Sequence, residues 1–159
     1  MLGALAAVSF CLTLPSSALA QTSKPLFANV STDAQCTVTA ANVLVDAGLI
    51  QKDAPSSGPQ VSQVVFSLEQ HFPNLKDWTF VVGSNVTQTF TPPKDLPLLP
   101  AGERYDVTTQ TYSNVCSLVS PTANAVRAVV QITVDNANPK RPGGLIHTGR
   151  CVSFPNPCR

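Results

Sequence analysis

The sequence predicts an α+β domain, with one N-terminal helix packed on an antiparallel β-sheet. Apolar residues recur at helical spacing once, between Thr39 and Gly48. From Val61 onward the apolar runs are short, rich in Val, Thr and aromatics, and separated by turn residues, as in strands. A helix followed by such runs, with no internal repeat and no splitting linker, is an α+β order.

In chain order, Leu2–Leu14 is apolar apart from Gly3, Ser9 and Thr13, and Ala18-Leu19-Ala20 follows. A short apolar stretch before a small-x-small step has the form of a secretory signal peptide, here residues 1–20, although no Lys or Arg precedes it. Thirteen residues are too few to span a bilayer, so no membrane anchor is expected. Residues 21–35 are polar and aperiodic and read as a flexible arm, leaving 36–159 as one domain. Ala40, Val43, Leu44 and Ala47 fall at i, i+3, i+4 and i+7, one apolar helix face. Thr37 or Thr39 would cap its start, and Gly48 would supply its stop.

Lys52–Gln60 reads as a loop. Strands are expected at Val61–Leu68, Trp78–Val82, Val86–Thr91, Arg104–Tyr112, Ala125–Val134 and Gly144–Val152. The fifth is clearest: Val126, Ala128, Val130, Ile132 and Val134 take the core face, and Arg127 points away from it. Trp78 and Phe80 read as core residues, and Asn136–Gly144 as the loop of a hairpin.

The net charge is +1, so no broad basic field exists to hold long nucleic acid. Beyond residue 20 lie four cysteines, Cys36, Cys116, Cys151 and Cys158. In an exported chain they read as two disulfides, with three possible connectivities. Their spacing is not the C-x-x-C of a zinc site, and no metal is expected. Two N-glycosylation triplets occur, Asn29-Val30-Ser31 and Asn85-Val86-Thr87.

The sharpest local signal is Gly144-Leu145-Ile146-His147-Thr148-Gly149, with Cys158 eleven residues after the histidine. Upstream lie Arg127-Ala128-Val129-Val130, Asp95-Leu96-Pro97-Leu98-Leu99, Glu69-Gln70-His71 and, a dozen residues after Cys36, Asp46-Ala47-Gly48-Leu49. In order and spacing these resemble the guanyl-specific fungal ribonucleases, from Cys36 to Cys158. Asp95 stands where that family has Glu, Glu69 where it has Tyr, and the hairpin before His147 is longer.

The resemblance implies a secreted, monomeric, microbial-ribonuclease-like domain that cleaves single-stranded RNA after guanosine, through a 2′,3′-cyclic phosphate. It implies no metal or organic cofactor. Asp95, with His71, would be the base, His147 the acid, and Arg127 the phosphate clamp, with Glu69 beside it. Phe72, Asn74 and Asp77 would recognise the base. Cys36–Cys158 would be the family's long bridge. The remaining Cys116 and Cys151, a pair with no counterpart there, would form the second.

Two other readings fit the same sequence. One is a ribonuclease-like secreted effector that binds host RNA or a host protein without turnover, which the Glu69 departure favours. The other is a cystatin-like protease inhibitor. Its inhibitory hairpin needs Gln-x-Val-x-Gly, and the chain offers only Val81-Val82-Gly83.

Overall fold

The computed structural model describes residues 29–53, 58–135 and 144–159. The expected leader at 1–20, the expected arm as far as residue 28 and nearly all of the expected hairpin loop at 136–144 lie outside the described residues. Within them, the regular structure is nine strands and one 3-10 turn, Val115–Ser117. The strands are β1 (Val30–Thr39), β2 (Asn42–Gln51), β3 (Gln60–His71), β4 (Thr79–Phe80), β5 (Val86–Asp95), β6 (Arg104–Tyr112), β7 (Ala125–Asp135), β8 (Leu145–Arg150) and β9 (Phe154–Pro155). Strands β3–β8 fall where the apolar runs place them, and β9 is an addition to them. The expected N-terminal helix is absent, and the domain is all-β rather than α+β.

The segment read as a helix is the β1–β2 hairpin. Ala40 turns the chain at φ 51°, and Asn42–Gln51 then runs between two partners, with Val45 opposite Cys36 on β1 and Gln110 on β6. Burial follows a period of two: Val43, Val45, Ala47 and Leu49 are buried, whereas Leu44 is 40% exposed. The spacing of Ala40, Val43, Leu44 and Ala47 is therefore coincidental. β-Branched Thr37, Val38, Thr39, Val43 and Val45 favour extended backbone, and two flanking strands satisfy the polar groups of β2. Val30–Gln35, expected in the arm, form the first half of β1.

Two antiparallel sheets stack face to face. One has the order β1-β2-β6. In the other, β3 and β7 form the centre. β4 and β5 pair in turn along the free edge of β3, and β8 and β9 along that of β7. The core between them joins Val43, Val45 and Leu49 to Val64, Phe66, Leu68, Val126, Val130 and Ile132, all fully buried. Arg127 faces outward from β7, as its alternation predicts.

Both sides of the sandwich are closed. β1 lies beside β8, bridged by Cys36–Cys151 with a Cα separation of 5.7 Å. Gly149 permits this approach, because a Cβ there would lie 2.7 Å from Thr32 Cγ2. Across the sandwich, Thr108 Oγ1 of β6 donates to Gln88 Oε1 of β5 at 2.6 Å, and Gln88 Nε2 donates to the Thr109 carbonyl at 3.0 Å. Pro92 and Pro93, which offer no N–H, sit on β5 where its pairing to β3 slips between Thr89 and Lys94.

The bridges are Cys36–Cys151 and Cys116–Cys158, which corrects the implied Cys36–Cys158 and Cys116–Cys151. Cys151 directly follows β8, and its N–H donates to the Ala128 carbonyl, which holds it beside β1. β9 then carries the chain past Val126 to Asn156, whose amide donates to the carbonyls of Ser120 and Ala123 at 2.9 Å each. This docks the C-terminus on the loop that follows the Cys116 turn.

Candidate functional site

The residues that the resemblance assigned to catalysis lie in three places. Glu69 and Arg127 are directly paired across β3 and β7, with His71 two residues further along the same face. Asp95 pairs with Gln60 at the far end of β3, about 30 Å along the strand from Glu69, and accepts a 2.6 Å bond from the Gln60 amide. His147 pairs with Ile132, a core-facing residue, so it lies on the opposite face of the sheet from Arg127. Burial lowers the His147 pKa below its ordinary value, and the Lys52 charge acts in the same direction. That is the reverse of the carboxylate-supported imidazole the acid role asks for. The structure thus brings together Glu69, His71 and Arg127, and separates them from Asp95 and His147.

The base-recognition set is not assembled either. Phe72 packs against the core instead of offering a free ring. Asn74 and Asp77 are exposed in the turn after it, where the Leu75 N–H donates to the Phe72 carbonyl.

What the outer face does assemble is an aromatic and arginine cluster. β3 supplies Glu69, flanked in register by Phe80 of β4 and Arg127 of β7. Arg127 donates through Nε at 2.7 Å and approaches through Nη2 at 2.6 Å, both to Glu69 Oε2. Its guanidinium lies over the Trp78 ring, 4.1 Å from the centroid. His71 sits 5.4 Å from Trp78, centroid to centroid, and its Nδ1 donates to Asn124 Oδ1 at 2.9 Å. Arg150 lies one pair further along, opposite Val129, with its Nε 3.6 Å from the same Glu69 oxygen and its side chain 48% exposed. Compared with known proteins, this chain matches no family model, no curated protein and no solved structure.

Three of these groups carry no functional assignment from the sequence. Trp78 and Phe80, expected in the core, face outward: Trp78 is half-buried and Phe80 is 45% exposed. The available signal was alternation, since Val81 takes the core face at 1% exposed and Phe80 must then face away. Arg150 had no local signal, because its role depends on the register of β8 against β7.

The electrostatics of the two outer faces differ. On the three-stranded sheet, Arg104 is ringed by Asp33 at 2.6 Å, Asp46 at 2.8 Å and Asp106. On the larger sheet, two arginines meet one carboxylate. Glu69 satisfies Arg127 and leaves Arg150 able to reach an anion. The cluster therefore offers a held guanidinium plane, exposed aromatic surface and a second, half-exposed cation.

Proposed function

We propose that this chain is an exported protein that binds single-stranded RNA without turning it over, through the outer face of its larger sheet. The observation that carries the reading is Trp78 lying across Arg127 at 4.1 Å, with Arg127 itself held by Glu69. Flat aromatic and guanidinium surfaces are what unpaired bases stack on, and a nearby cation takes the phosphate. Phe80 offers further ring surface, and Arg150 supplies that cation. Separation of Asp95 and His147 from this face supports binding over cleavage. The disulfides support export, as does the leader-like N-terminus. Among the described residues no helix is long and apolar enough to cross a membrane.

Trp78 is the chain's single tryptophan, so its fluorescence reports this site alone. Titration with a single-stranded RNA hexamer should quench it. Arg150→Ala should weaken binding several-fold and flatten the salt dependence, because about one fewer phosphate is neutralised. A guanosine-containing dinucleotide should remain uncleaved. Quenching by a neutral oligosaccharide and not by RNA would replace the ligand class, no quenching by either would remove the site, and turnover abolished by His147→Ala would restore the ribonuclease reading.

A further inference from the structure

Of the two glycosylation triplets, the structure treats one as a surface acceptor and ties the other into the fold; we propose that Asn85 carries an N-linked glycan and that Asn29 does not. Asn85 is exposed in the turn between β4 and β5, and its side chain has no hydrogen-bond partner among the described residues. Thr87 of the same triplet is also exposed, and neither Val86 nor Gln88 is proline. The turn that presents Asn85 is anchored just before it. Ser84 is fully buried, its Oγ donating to the Val81 carbonyl at 2.6 Å and accepting from the Leu68 N–H at 2.9 Å. The Ser84 carbonyl accepts from the Tyr112 hydroxyl at 2.8 Å. Gly83 reverses the chain at φ 80°, and beside it Val82 is 84% exposed. A substituent on Asn85 therefore projects from an edge of the larger sheet and displaces nothing.

Asn29 is also exposed, but its side chain and backbone are bonded into the fold. Its Nδ2 donates to Asp53 Oδ2 at 2.6 Å. Its carbonyl accepts from the Lys52 N–H at 2.8 Å and from the amide of buried Gln51 at 3.3 Å. The next residue, Val30, is 2% exposed. The acceptor nitrogen is thus part of the stitching between the start of β1 and the end of β2.

In the transfer, Asn85 Nδ2 bonds to the anomeric carbon of a lipid-linked oligosaccharide diphosphate. The bond from that carbon to the phosphate oxygen breaks, the lipid diphosphate leaves, and the amide gives up one proton to the transferase. The Thr87 hydroxyl is the recognition element that the triplet requires.

The test expresses the whole chain, residues 1–159, in a eukaryotic secretory host and compares the secreted protein before and after peptide N-glycosidase. The wild type and Asn29→Gln should lose mass by the same single glycan. Asn85→Gln and Thr87→Ala should show no loss, and Thr87→Ser should restore it in part. A wild type whose mass is unchanged by the enzyme overturns the proposal. So does a shift that persists in Asn85→Gln, a wild type carrying two glycans, or a chain that stays unmodified inside the cell. None of these outcomes bears on RNA binding, which is read separately from Trp78.

Discussion

At the scale of single residues, the chemistry is set by which face a side chain takes. Alternation puts Glu69 and Arg127 each on an outward face, and the register of β3 against β7 makes them partners 2.6 Å apart. The side of the sheet that His147 takes is not legible, because its Leu-Ile-His-Thr-Gly setting says nothing about which side of β8 faces the core. The register with Ile132 decides that. Its position has a measurable consequence. Burial, then Lys52, lowers the pKa of folded His147, so the unfolded chain takes up a proton more readily as pH falls. Stability from this group is present above the ordinary histidine pKa of about 6.5 and is lost as pH falls through the lower folded value. Urea midpoints of the wild type should therefore drop between pH 7.5 and pH 5. His147→Gln, which cannot charge, should shrink that drop. An equal drop in both proteins would show that His147 is not its source.

At the scale of elements, the later strands were legible because alternation and turn residues agree there. β6, expected at Arg104–Tyr112, has those bounds. The first hairpin was not, because its two-residue turn, Ala40-Ala41, contains none of the Gly, Asn or Asp that mark such turns. Without that signal, an alanine-rich stretch mimics a helix. Gly48, expected as a helix stop, has another role. β2 slips its register to β6 between Ala47 and Gly48, and the Arg104 guanidinium lies directly over Gly48. A Cβ at Gly48 would sit 2.5 Å from Arg104 Cζ, so Gly48→Ala must push the guanidinium out from among Asp33, Asp46 and Asp106. Because these side chains are partly exposed, solvent screens the loss, and the cost should be about 1 kcal/mol by chemical denaturation. If the cost reflects displaced charge, it should shrink at high salt. A penalty indifferent to salt would locate it in backbone packing.

At the scale of the whole molecule, a cystine-bridged chain was legible from the even cysteine count beyond residue 20, but the connectivity was not. Four cysteines permit three pairings, and only the path of the chain after β8 chooses among them. Cys36–Cys151 closes 115 residues and fastens the two sheets along the β1–β8 edge, while Cys116–Cys158 closes 42 and fastens the C-terminus. In the chain-entropy model these loops correspond to about 5 and about 4 kcal/mol. The connectivity can be tested by removing cysteines in pairs from the chain that begins at Gln21. Cys36→Ala with Cys151→Ala should leave Cys116–Cys158 intact, expose no free thiol and lower stability by several kcal/mol. Cys36→Ala with Cys158→Ala should instead strand Cys116 and Cys151, and two thiols should titrate on denaturation. Cys151 is 4% exposed beneath the β1–β8 edge, so the stranded pair cannot re-form a bridge without opening the sandwich. The opposite pattern, thiols from the first variant and none from the second, would mean that β8 leads the chain elsewhere. The sandwich closure on which the β7–β8 outer face depends would then have to be redrawn.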